Sequence, residues 1–184
     1  GQRVEATLML SILTTIFALM AALPLGVLAA WKSRTFVDRF CMIFAVLGFS
    51  VPVFVIGYIL MYVFAIQLKW LPVQGYKYLA DGLWPCIRSL ILPSVALGTL
   101  YTALIARITR ASVMEVLAED YIRTAKAKGL NSRTILIRHA LKNAAVPIVT
   151  IIGVGIALLI GGVVVTESVF NIPGLGRLTV DAIL

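Results

Sequence analysis

Apolar residues in this chain come in long unbroken runs, with little of the alternation of a half-buried strand. No Asp, Glu, Lys, Arg or His interrupts Ala6–Trp31 (26 residues), Phe40–Leu68 (29), Ser89–Ala106 (18) or Asn143–Thr166 (24). A helix needs about 20 mainly apolar residues to cross the roughly 30 Å hydrocarbon layer. Each run therefore predicts a membrane-spanning helix, over about 7–31, 40–66, 89–106 and 144–166. The third is the tightest fit.

A different pattern fills the space between the last two runs. From Met114 to Gly129, the apolar positions Met114, Leu117, Ala118, Tyr121, Ile122 and Ala125 recur at helical spacing, and charged residues occupy the rest. Acids come early and bases late, as the helix macrodipole favours. Gly129 suits a residue just past a helix end, where φ turns positive. Asn131 or Ser132 would cap a second helix running through "RTILIRHALKNAA" into the fourth span. The segment 107–143 thus reads as helix, glycine turn, helix, tied at both ends to membrane helices.

Small residues recur every fourth position in three runs: Thr14, Ala18, Ala22, Gly26 and Ala30; Ser94, Gly98, Thr102 and Ala106; Gly153, Ala157 and Gly161. Such stripes let helix backbones approach closely where lipid offers no hydrophobic drive to association. The fold class expected is an all-α membrane protein, a multi-span helical bundle. Pro24 and Pro52 fall inside spans, and "GFSVPVF" puts Gly48, Ser50 and Pro52 near the middle of the second. A broken helix there would suit a substrate path; a Pro kink satisfied by neighbouring helices is the plainer alternative.

Composition agrees with the pattern: of 184 residues, 61% are hydrophobic and 13% charged, far from the soluble average. The net charge of +8 would suggest nucleic acid in a soluble chain. Here the alternating spans place 11 of the 16 basic residues on the loops 32–39 and 107–142. The positive-inside rule makes that face cytoplasmic, so the charge encodes orientation. The opposite loop carries Trp70, Tyr76, Tyr78 and Trp84, as an interfacial aromatic belt would. Cys41 and Cys86 fall at opposite membrane faces, too far apart for a disulfide.

Candidate chemistry is sparse. No span has an ionisable interior residue, which argues against proton-coupled carriers and voltage sensors. No Lys follows a Gly, so no phosphate-cradling Walker motif is present. His139 lies beside Arg138 and Lys142 without a Ser or Cys partner in register, and one histidine offers no metal-ligand spacing. No bound cofactor or metal is expected. An intramembrane enzyme is therefore a remote reading. A self-contained channel or facilitator, with the amphipathic loop lying on lipid headgroups, is the main rival to a partner-docking loop.

The stretch "EDYIRTAKAKGLNSRTILIRHALKNAAVPIVT" resembles the cytoplasmic loop of the membrane subunits of binding-protein-dependent ABC importers. More narrowly it resembles the dipeptide/oligopeptide/nickel permease branch, as do "SVPVF" and "TESVFNIPGLGRL". The general pattern of that loop is Glu-Ala-Ala, three residues, Gly, nine residues, Ile-x-Leu-Pro. Set on Gly129, it fits at Ala125, Gly129 and Leu141 and departs at Arg123, His139 and Lys142.

The resemblance implies a type I importer permease in a cytoplasmic membrane, one piece of a longer six-span chain. It implies transport of peptides, nickel or glutathione. The implied partners are a second homologous permease subunit, two cytoplasmic ATP-binding subunits and an extracytoplasmic solute-binding protein, with no nucleic acid. ATPase docking would fall on Leu117, Glu119, Asp120, Tyr121, Arg123, Thr124, Ala125, Lys128, Gly129 and Leu130. Ser50, Pro52, Ser94, Thr102 and Glu167 are the candidates for the path. Glu167 could instead cap a helix end or pair with Arg177. Pro173-Gly174 reads as a type II turn.

Overall fold

The computed structural model describes residues 2–183, the surroundings of Gln2, Ile160, Gly161, Asp181 and Ile183 aside. It is all-α, with no strand among the described residues. The helices are α1 (Gln2–Trp31), α2 (Phe36–Ser50), α3 (Val53–Leu60), α4 (Leu83–Leu117) and α5 (Asp120–Ala127). A short α6 (Ser132–Thr134) runs through a π-helical stretch, Ile135–Ala140, into α7 (Leu141–Val169), and α8 (Leu175–Ile183) closes the described chain.

The bundle is built around α4. Its stripe Ser94, Gly98, Thr102 and Ala106 is buried, as is the α1 stripe Thr14, Ala18, Ala22, Gly26 and Ala30. A Cβ on Gly26 would lie 2.7 Å from the Ala106 carbonyl oxygen, and one on Gly98 would lie 2.5 Å from Phe17 Cδ1. Only glycine admits approaches this close. The pairings 17 with 98 and 26 with 106 show that α1 and α4 run in the same direction. Those of Asp38 with Arg110 and Gly48 with Thr99, and of Gly155 with Tyr101 and Gly162 with Leu97, show that α2 and α7 run against α4.

The small-residue stripe expected on the fourth span does not pack within the chain. Gly153 and Ala157 are exposed, and a Cβ on Gly153 would meet nothing within 4 Å. Gly155 and Gly162, off that stripe, meet Tyr101 instead. Gly161 lies outside the described surroundings.

The run 40–66 is not one helix. α2 and the pair α3 plus π-helical Met61–Gln67 meet at 100°. Val51 is extended (φ −92°, ψ 127°) and Pro52 (φ −56°, ψ 139°) caps α3, its carbonyl accepting from Val55 and Ile56. Proline lacks the N–H that would continue the helix and pushes the preceding residue out of the α region. This is a break, well beyond an ordinary kink. After it, Gly57 packs on the Phe170 ring at the far end of α7. Three helices are thus long and apolar enough to cross a membrane, or four if the bent pair counts as one span. The third, α4, is the longest, so the tight fit of its 18-residue apolar run places no limit on helix length.

Candidate functional site

The cytoplasmic segment is shorter and more tightly tied than its amphipathic pattern suggests. Met114 and Leu117 belong to α4, which runs unbroken to Leu117 and ends as the Ala118 and Glu119 N–H groups bond to Glu115 and Val116. Glu119 is extended (φ −64°, ψ 148°), and a separate eight-residue α5 begins at Asp120. The expected helix over 114–129 is therefore two helices. Periodicity hides the break because the apolar phase carries across a two-residue joint.

Ile122 anchors α5. It is fully buried, and α5 lies against the stretch 135–140, where Ile135 and Leu136 are also buried. The Tyr121 hydroxyl accepts from Asn143 Nδ2 at 2.6 Å, joining α5 to the first turn of α7. At the other end the chain closes in a Schellman motif: Leu130 N–H bonds to the Ala125 carbonyl, Gly129 N–H to that of Lys126, and Gly129 takes φ +79°. Asn131 then caps the next helix by accepting from Arg133 N–H at 3.2 Å. Of the predicted docking residues, Glu119, Asp120, Tyr121, Arg123, Thr124, Lys128 and Gly129 are exposed. Leu117, Ala125 and Leu130 are partly buried. The Asp120–Arg123 pair, 3.2 Å apart and open to solvent, orders the outer face without adding much stability.

An unpredicted ion pair stands beside this segment. Asp38, buried in the first turn of α2, accepts from Arg110 Nε at 2.6 Å and Nη2 at 2.8 Å, and from the Arg34 backbone N–H at 3.0 Å. Arg34 turns the chain between α1 and α2 in the left-handed region (φ 64°). The pair clamps the α1–α2 turn to α4 about two turns before that helix ends. The signal available was that Asp38 is the one acid among the bases of the first cytoplasmic loop.

The residues proposed for a path do not gather. Ser50 is exposed, its hydroxyl donating back to the Val46 carbonyl. Pro52 is exposed at the break. Ser94 and Thr102 are buried on α4, and neither hydroxyl finds a partner among the described residues.

Glu167 is 0% exposed. Its Oε1 accepts from Thr7 Oγ1 at 2.6 Å and its Oε2 from the Arg177 backbone N–H at 3.0 Å; Thr7 Oγ1 in turn accepts from Leu175 N–H at 2.9 Å. The carboxylate and the hydroxyl together satisfy the amino end of α8, where negative charge is favoured. This is the helix-cap alternative. The Arg177 guanidinium bonds to Asn171 instead of the carboxylate. The expected type II turn at Pro173-Gly174 is absent, since the left-handed residue here is Asn171 (φ 54°). Gly174 serves another purpose: a Cβ there would lie 1.9 Å from Glu167 Oε1.

Residues 22–184 match the family described as binding-protein-dependent transport system inner membrane component. The whole chain aligns with a probable peptide ABC transporter permease protein, y4tP, of Sinorhizobium fredii at 59% identity, covering 58% of that protein. It also aligns with the glutathione transport system permease protein GsiC of Escherichia coli strain K12 at 44% identity, covering 57% of it. The chain thus spans a little over half the length of these relatives. Matched over most of its length, the chain belongs to the family of inner membrane components of binding-protein-dependent transport systems.

Proposed function

We propose that this chain is the path-forming part of an ABC importer permease for peptides or a related small solute such as glutathione. It pairs with a second homologous permease subunit and takes substrate from an extracytoplasmic solute-binding protein. Two cytoplasmic ATP-binding subunits dock on the segment 107–143, so that hydrolysis occurs outside this chain and no cofactor enters its own chemistry. The names of the peptide and glutathione relatives support the substrate class.

One observation carries the docking proposal. α5 presents its polar face to solvent while Ile122, the Tyr121–Asn143 bond and the Gly129 turn fix it to the ends of α4 and α7. A helix held this way transmits a push to the spans instead of absorbing it. The test uses the full-length protein with its ATPase subunits. Gly129→Val places a β-branched residue at φ +79°, costing about 1–2 kcal/mol of backbone strain. No contact would add to this, because a Cβ there meets nothing within 4 Å. Ala125→Arg puts an uncompensated charge on a half-buried face. Both variants should reach the membrane, yet lose substrate uptake and shed the ATPase on purification. Normal uptake and ATPase retention in both would refute the docking role. A lipid-lying helix would gain from the added Arg near anionic headgroups.

A further inference from the structure

Between the outer loop and the first two turns of α4 lies a cleft of about 580 Å³ that none of the candidate docking or path residues lines. This is within the range of small-molecule sites. Its lining combines apolar Leu71, Pro72, Trp84 and Pro85 with the cations Lys77 and Arg88, and no acidic side chain lines the cleft. Arg88 donates one N–H to the Trp70 carbonyl at 2.7 Å, leaving most of its five donors free. The Lys77 ammonium has no hydrogen-bond or ion-pair partner among the described residues, while its backbone N–H leans on Ser89 Oγ at 3.4 Å and holds the loop to the helix.

The nearby Glu5 carboxylate forms no ion pair with these cations among the described residues. Its Oε1 accepts from the Tyr76 hydroxyl at 3.1 Å and from Leu79 N–H at 2.8 Å. Burial, with Cys86 and Glu5 alongside, pushes the Tyr76 phenol well above its ordinary range, so it stays a donor.

Depth identifies the ligand. Arg88 immediately precedes the charge-free run Ser89–Ala106 and so marks the hydrocarbon edge. By helical rise it lies about 7 Å deeper than Leu83, the first residue of α4. The loop before α4 is tied to α1 at the same level, where Leu79 N–H and the Tyr76 hydroxyl share Glu5 Oε1. Trp70 and Trp84, 62% and 69% exposed, flank the cleft as interfacial anchors do. A lipid phosphate lies at this level, just outside the hydrocarbon edge that Arg88 marks. We propose that the cleft binds an anionic phospholipid of the outer leaflet, its phosphate held by Lys77 and Arg88 and its glycerol region against Trp84 and Leu71. With two cations and no acid in its lining, the site favours a net-negative headgroup over a zwitterionic one.

The test titrates delipidated full-length protein with phosphatidylglycerol, phosphatidylethanolamine or inorganic phosphate and counts bound molecules by native mass spectrometry. The Lys77→Gln/Arg88→Gln variant should lose phosphatidylglycerol affinity at least tenfold. The Arg3→Gln variant, which removes an outer base that does not line the cleft, should stay within twofold. Wild type should prefer phosphatidylglycerol over phosphatidylethanolamine. If the double variant does not assemble, Lys77→Gln alone serves, since it breaks no side-chain bond. Unchanged phosphatidylglycerol binding in the cleft variant, or equal loss of both lipids, would overturn the proposal. Full competition by inorganic phosphate would reassign the cleft to free anions. Weakened docking of the solute-binding protein with lipid binding intact would reassign it to that partner.

Discussion

Gly174→Ala offers a sharp test of how α8 is held. The new Cβ would lie 1.9 Å from Glu167 Oε1 and 2.1 Å from its Cδ, so the carboxylate must move. A glutamate end is normally flexible, but this one is pinned by Thr7 Oγ1 on one oxygen and by Arg177 N–H on the other. Hydrogen bonds to charged groups contribute about 1.5–3 kcal/mol each, so losing both costs about 3–6 kcal/mol. α8 has nine residues, too few for a helix to persist alone. The loss therefore falls on the docking of α8, while the α1–α4 contact is untouched. Hydrogen exchange of full-length protein in nanodiscs reads this directly, because Leu175 and Arg177 donate their amides into the cap. At the low end, about 3 kcal/mol, amides over 172–183 should exchange roughly a hundredfold faster. Glu167→Gln keeps a side-chain acceptor and should have a smaller effect, and adding it to Gly174→Ala should change little. Gly153→Ala, in open space, is the neutral control. Unchanged protection over 172–183 in Gly174→Ala would refute the cap as the element that holds α8.

Two further outcomes follow from packing and charge. Gly98→Ala drives a Cβ to within 2.5 Å of Phe17 and should destabilise by about 1–3 kcal/mol, lowering the thermal midpoint in detergent; a midpoint matching that of Gly153→Ala would show the α1–α4 seam to be slack. Asp38→Ala leaves Arg110 without its partner and should cost on the order of 3 kcal/mol, the low end for a buried pair because Arg110 is 28% exposed. Adding Arg110→Met should restore part of that midpoint, and a strictly additive double variant would contradict the clamp.

The fold was legible where one physical rule dominates locally. Charge-free runs mark helices because lipid tolerates no unpaired backbone, and period-four small residues on α1 and α4 mark their seam because they are what close approach requires. The stripe on α7 meets no partner within this chain among the described residues. A glycine stripe records that some surface can come close, without recording which surface is present, and Gly153 faces open space here. Pro52 announced a disturbance, yet neither its 100° size nor the seating of Gly57 on the Phe170 ring beyond it is encoded by a local pattern. The helix break at Glu119 was invisible for the opposite reason: the joint keeps the apolar phase that a continuous helix would show.

The candidate site divides along the same line, and two glycines show where it falls. Gly129 was readable because its role is conformational: φ +79° after a basic helix end is a requirement set by four adjacent residues. Gly174 looks equally like a turn glycine, beside a proline, but its role is volumetric. It makes room for a carboxylate that meets Thr7 across 160 positions. Asp38 and Arg110 are likewise 72 positions apart. Each of these residues, viewed in its own segment, is one more polar group at a helix end. Only the same-direction packing of α1 and α4, with α2 and α7 running against them, brings Thr7 to Glu167 at the outer face and Asp38 to Arg110 at the inner one. Polar clamps at both ends of an otherwise apolar bundle are thus a product of topology. They lie where the bilayer's own constraint ends and helix direction must be held by specific hydrogen bonds.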